Sequence, residues 1–187
     1  IVTLYMYTSS ILFLNYFGAD EKTVALFTSV NKVSNLFFVI PMFVASFVPI
    51  ILSNSSHQNG SKFKKLMIGN AALSMFQFLF FVGAGEMMAH IFGVKENSDI
   101  DDFYILGVIF NFGIMILNIA RPLGVFLMIR SSPRNVTLRV FLPSLILSSA
   151  VYPVAALYFG AVGSATGATI AYLFLSVIMV KAYLNYK

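Results

Sequence analysis

Arg121 is the residue of this chain most in need of a partner. It lies inside the apolar run Phe103 to Arg130, in company with Asn111 and Asn118. An arginine well within a membrane span costs roughly 2.5 to 3.5 kcal/mol on insertion scales, so a partner, a water-filled cavity or a ligand must meet it. Its planar fork of donors suits phosphates and carboxylates, which makes anion binding its natural chemistry. Lys32 is the second cation inside an apolar run, with Asn35 one turn away. Glu86 is the one carboxylate inside a run, with His90 a turn further on, and a carboxylate in that setting is a candidate for coupling to protons or cations. The cavity candidates are Arg121, Lys32, Asn35, Asn111 and Asn118, and the ion-coupling candidate is Glu86.

Other chemistry is poorly represented. The chain contains no cysteine, which removes disulfides, thiolate metal sites and cysteine nucleophiles together. No HExxH, GxSxG or P-loop pattern occurs, and GAVGSATG near the end has neither the spacing nor the lysine of a phosphate loop. His57 and His90 lack the neighbours of a metal site. We expect no enzyme activity, no metal, no cofactor and no nucleic-acid partner.

The elements that carry these residues are membrane helices. Of 187 residues, 59% are hydrophobic and 10% charged, where soluble domains have about 25% charged. Six apolar segments approach or exceed the length of about 20 residues that a bilayer requires, at 1–17, 24–52, 66–92, 103–129, 138–159 and 161–183. They lack the period-2 alternation of barrel strands, so the expectation is an all-α membrane protein of six transmembrane helices in a single unit, 1–187. Because Ile1 opens in mid-run, the sequence reads as a piece of a longer protein.

Charge sets the orientation. The loops around Asp20, Glu21 and Lys22, and around Lys95, Glu96, Asp99, Asp101 and Asp102, are acidic. The alternate set holds Lys62, Lys64, Lys65, Arg130, Arg134, Arg139, Lys181 and Lys187 with no carboxylate. The positive-inside rule puts the basic set and both ends in the cytoplasm. The sequons at Asn54, Asn59 and Asn135 then fall on the unglycosylated side, and the Lys62 to Lys65 cluster reads as a topology signal before it reads as a lipid site.

Within the spans, polar residues form stripes at helical spacing. Thr28, Lys32 and Asn35 share a face of the second span, Asn70, Ser74 and Gln77 one of the third, and Asn111, Asn118 and Arg121 one of the fourth, continued by Tyr104 and Gly107. For the uncharged members interhelical hydrogen bonding is the plainer reading. Lys32 and Glu86 fall at similar depths, roughly 12 and 9 Å from the outer boundary, so an ion pair between them is an open alternative. Pro41, Pro49, Pro122, Pro143 and Pro153 each remove a helical hydrogen bond, and Gly163, Gly167 and Ala171 form a small-residue face for close packing.

Four stretches carry a resemblance. They are FGADEKTVALFTSVNKVSNLFFVIPMFVASFVPIIL, AHIFGVKENSDIDD, ARPLGVFLMIRSSPRN and YFGAVGSATGATIAYLFLSVIMVKAYL. Together they resemble the C-terminal lobe of polysaccharide repeat-unit (O-antigen type) flippases in the multidrug/oligosaccharidyl-lipid/polysaccharide exporter superfamily. The resemblance implies one six-helix lobe of a two-lobe (6+6) exporter in a bacterial inner membrane. It implies translocation of undecaprenyl-diphosphate-linked oligosaccharide to the periplasmic leaflet, with that anionic lipid, membrane lipids and polysaccharide assembly proteins as partners. A drug or cation antiporter of the same superfamily, or part of a membrane glycan polymerase or acyltransferase, are the alternatives.

Overall fold

The computed structural model describes residues 2–17, 19–53 and 59–186, and 93% of it is helix, with no strand among the described residues. The sequons' Asn54 and its neighbours Ser55 and Ser56, and His57, lie outside the described residues. The helices are α1 (Val2–Tyr16), α2 (Glu21–Ala45), α3 (Val48–Ser53), α4 (Asn59–Ile91), α5 (Asn97–Arg130), α6 (Pro133–Val136) and α7 (Leu142–Tyr186), with a π-helical turn at Thr137–Phe141 before α7. Four helical stretches, Glu21–Ser53, Gly60–Ile91, Asn97–Arg130 and Pro133–Tyr186, are long and apolar enough to cross a membrane. The described residues thus form an all-helical structure in which several helices could cross a membrane.

Local chemistry explains the boundaries. Asp20 caps α2 by accepting a hydrogen bond from the Thr23 N–H at 3.2 Å. At the far end of α4, Gly93 takes a positive φ of 86° and Val94 N–H closes back on the Ala89 carbonyl, which satisfies carbonyls the helix end leaves free. Pro49 has no N–H to offer the Ala45 carbonyl, and the chain breaks between α2 and α3 at that level. The π-helical turn, where Leu142 N–H bonds Thr137 O, immediately precedes Pro143 and lets the helix absorb that proline without ending.

Inside α7, Gly160 has φ 56° and ψ −135°, a conformation essentially restricted to glycine, and it separates two helices, 142–159 and 161–186. The reversal falls between the last two segments expected from hydropathy. The two arms touch through the small-residue face: a Cβ on Gly163 would strike the Ala155 carbonyl, and one on Gly167 would lie 3.1 Å from the Ala155 methyl. Tyr152 donates to Met6 O at 2.8 Å and so fastens α1 to the first arm.

The centre of the bundle is α5, which packs against α2, α4 and α7. From Ile100 to Arg121 its buried residues occupy one half of the circumference, while Ile105 and Phe112 on the other half are exposed and also apolar. Phe110 meets Phe27 of α2 edge-on at 5.8 Å and Tyr172 of α7 at 6.1 Å. Gly113 lets Thr169 approach, and the Thr169 hydroxyl donates to Ile109 O at 2.7 Å. Outward faces of α2, α4 and α7 carry Val39, Phe43, Phe76, Leu79, Leu157 and Val177, as a surface in contact with lipid would.

Candidate functional site

The polar stripe of α5 lies at the level of two prolines. Pro122 cannot donate to the carbonyl of Asn118, and Asn70 of α4 supplies the missing donor through its Nδ2 at 2.7 Å. Pro41 cannot donate to the carbonyl of Phe37, and Asn118 supplies that donor through its own Nδ2 at 2.9 Å. Asn118 is therefore an acceptor through its backbone and a donor through its side chain, which links α4, α5 and α2 at one depth. Both asparagines are buried. Each bond replaces one that a regular helix would make internally, so the two prolines leave no orphaned carbonyl at these positions.

Arg121 stands one turn along from Asn118. Its Nη1 donates to Phe38 O at 2.9 Å, and its guanidinium carbon lies 3.8 Å from the centroid of the Phe38 ring. One residue of α2 therefore holds the arginine twice, through a hydrogen bond and through a cation–π contact that is worth about 2 kcal/mol when desolvated. Arg121 is 9% exposed, and its other terminal nitrogen, Nη2, has no hydrogen-bond partner. The residue lines a cavity of about 640 Å³ bounded also by Met42, Pro49, Met128, Phe141 and Met179. Apart from Arg121 and Thr137 its walls are apolar, and Arg121 is the one charged residue in its lining.

Asn111 is buried, and its Nδ2 bonds back to Gly107 O of the same helix at 2.9 Å. With Ser74, Gln77 and Asn118 it lines a separate space of about 10 Å³, room for a single water-sized group. The α4 stripe faces this space and α5, as interhelical bonding of Asn70 requires.

The remaining candidates lie apart. Lys32 and Asn35 are exposed on the outer side of α2, turned away from the face that meets α5. Glu86 is exposed on α4, on the side opposite the buried Gln77. Among the described residues no ion pair joins Lys32 to Glu86; the ion pairs present run from Lys22 to Glu96 at 2.8 Å and to Asp99 at 2.9 Å. They tie the start of α2 to the start of α5 at the acidic end. Hydrogen bonding to Glu96, then to Asp99, raises the Lys22 pKa above its ordinary range. His90 is exposed in the last turn of α4.

The structure thus gathers Arg121, Asn118 and Asn111 on α5 with Asn70 and Gln77 on α4, and leaves Lys32, Asn35 and Glu86 outside that group. Phe38 is the functional neighbour that sequence reasoning missed: an apolar residue in an apolar run carries no signal of its own. Compared with protein-family models, curated proteins and solved structures, the chain matches none of them.

Proposed function

We propose that this chain is a transporter lobe that moves an anionic, lipid-linked oligosaccharide across a bacterial inner membrane. In this reading it crosses the membrane six times, with α1, α2–α3, α4, α5 and the two arms of α7 as spans and both ends cytoplasmic. A second lobe completes the cavity, as in the polysaccharide flippases that the sequence resembles, and the carried group is the diphosphate of an undecaprenyl-linked repeat unit. The observation that carries the proposal is Arg121: a buried guanidinium whose Nη2 has no hydrogen-bond partner, on the wall of a largely apolar cavity of about 640 Å³. A diphosphate would take Nη2 as its donor once the side chain turns into the cavity, and the largely apolar walls suit a polyprenyl chain. Lys32 and Asn35 lie on an exposed face of α2, where a second lobe would turn them toward the shared cavity.

One observation favours a second reading. Arg121 already spends Nη1 and its ring contact on Phe38, three residues before Pro41, which is what a purely structural clamp would do. Flipping of a labelled undecaprenyl-diphosphate glycolipid in proteoliposomes separates the two. With the intact protein, Arg121→Ala abolishes flipping while Phe38→Leu, which removes the stack but keeps the backbone carbonyl, leaves most of it. Equal loss in both variants, in step with loss of folded protein, would sink the transport role and leave the clamp.

A further inference from the structure

We infer that the basic end of the bundle is a binding site for the headgroup of an anionic phospholipid, whatever the chain transports. Two grooves open there on either side of the end of α7. One, of about 670 Å³, is lined by Lys64 and Arg130 over the aromatic residues Phe63, Phe126 and Tyr183. The other, of about 410 Å³, is lined by Arg139 and Lys181 together with Ser131 and Asn135. Tyr186 belongs to both, so the two pairs of cations flank one side chain.

The first groove is built rather than incidental. Arg130 donates through Nη2 to Leu52 O at 3.2 Å, and its own carbonyl accepts from the Tyr186 hydroxyl at 2.9 Å, which ties α3, α5 and α7 together at its rim. Phe126 forms its floor, with ring centroids 5.0 Å from Phe63, 5.2 Å from Tyr183 and 5.7 Å from Tyr186. Cations above an aromatic floor, at the level where apolar helices end, match the phosphate and upper acyl region of a lipid.

Charge decides the sign of the ligand. No Asp or Glu lines either groove. The seven carboxylates of the chain are Asp20, Glu21, Glu86, Glu96, Asp99, Asp101 and Asp102, none of them at this end. The placement of Lys64 is more telling. It occupies the opening turns of α4, where the helix dipole opposes cations, and the first turn offers no acidic residue in compensation. Arg130 in the last turn of α5 gains from its dipole, but Lys64 gains only from an anion in the groove that it lines.

Native mass spectrometry of the intact protein, titrated with phosphatidylglycerol or phosphatidylcholine, tests the site. The expected result is preferential retention of phosphatidylglycerol. The pair Lys64→Gln/Arg130→Gln should weaken it by roughly twenty-five-fold, about fivefold for each cation removed, and Lys62→Gln/Lys65→Gln, which removes the same charge from positions outside the grooves, should have much less effect. All four residues are exposed, so both variants should fold, and monodisperse elution checks this. Equal weakening by the two pairs would replace the site with diffuse surface attraction. Equal retention of the two lipids, or displacement of phosphatidylglycerol by millimolar inorganic phosphate, would overturn the lipid assignment.

Discussion

Asn118 is bonded to Phe37 across two helices: its Nδ2 donates at 2.9 Å to the carbonyl that Pro41 leaves without a helical partner. Asn70 repeats the device for the Asn118 carbonyl below Pro122. Two defects that would each leave a polar group bare in an apolar medium are thereby turned into two interhelical links. If the links do this, Asn118→Ala should cost about 1 to 2 kcal/mol in a wild-type background, because a buried carbonyl loses its donor. In a Pro41→Ala background the helix regains the N–H of residue 41 and the same change should cost much less. A double-mutant cycle of unfolding in detergent micelles measures the coupling; equal costs in both backgrounds would rule out the substitution of one bond for the other.

Hydropathy made the long helices legible, because four helical stretches exceed the length a bilayer requires, and the turn glycine Gly160 separates two runs of nearly equal character. Periodicity correctly grouped Asn70 with Ser74 and Gln77, and Asn111 with Asn118 and Arg121. It also grouped Lys32 with Asn35, yet that stripe faces outward. Periodicity tells which residues share a face, and it is silent on what covers the face. The break between α2 and α3 escaped hydropathy because Ser46 and Phe47 sit in an uninterrupted apolar run, and only the missing N–H of Pro49 marks the place. The links through Phe37 and Phe38 were illegible for a further reason: the acceptors are backbone carbonyls, which every residue has.

The cavity beside Arg121 can be probed by single cysteines, since these 187 residues contribute none of their own and the parent protein without the added cysteine measures any background. Met42→Cys lies on its wall, and Phe76→Cys lies on the outward face of α4. In membranes, a water-soluble maleimide should label the first and not the second, and an apolar reagent should label both. Protection of Met42→Cys from the water-soluble reagent would mean that the cavity is closed to water and unsuited to receive a phosphate.

At the acidic end, pH should act through Lys22 and Asp20. The Lys22 pKa is raised by its bonds to Glu96 and Asp99, so its contribution is complete below the ordinary lysine value of 10.5 and fades as pH climbs through the raised value. The Asp20 pKa is lowered by hydrogen bonding from Thr23, so its contribution is complete above 3.8 and fades as pH falls through the lowered value. Thermal stability should therefore be flat across the neutral range and decline at both extremes. Lys22→Gln should reduce the alkaline decline, and Asp20→Ala the acidic one. Both groups are exposed, so the effects should be small and should shrink in high salt. An alkaline decline of unchanged size in Lys22→Gln would assign it to other groups.

The α7 hairpin makes a ranked prediction for its glycines. Gly69, in mid-α4, has open space where a Cβ would go, so Gly69→Ala should be neutral or stabilising by up to about 1 kcal/mol through the lost freedom of the unfolded chain. Gly160 also has open space, but its φ of 56° is strained for any other residue, and Gly160→Ala should cost about 1 to 3 kcal/mol. Gly163 has an ordinary helical backbone and no room: a methyl there meets the carbonyl of Ala155, which cannot rotate aside as a side chain would. Gly163→Ala must part the two arms, and with them the bond by which Tyr152 on the first arm holds Met6 of α1. It should be the most destabilising of the three, and it should loosen α1, read as faster amide exchange across Val2–Tyr16. If Gly163→Ala unfolds no more readily than Gly69→Ala, the two arms of α7 do not pack as a closed hairpin.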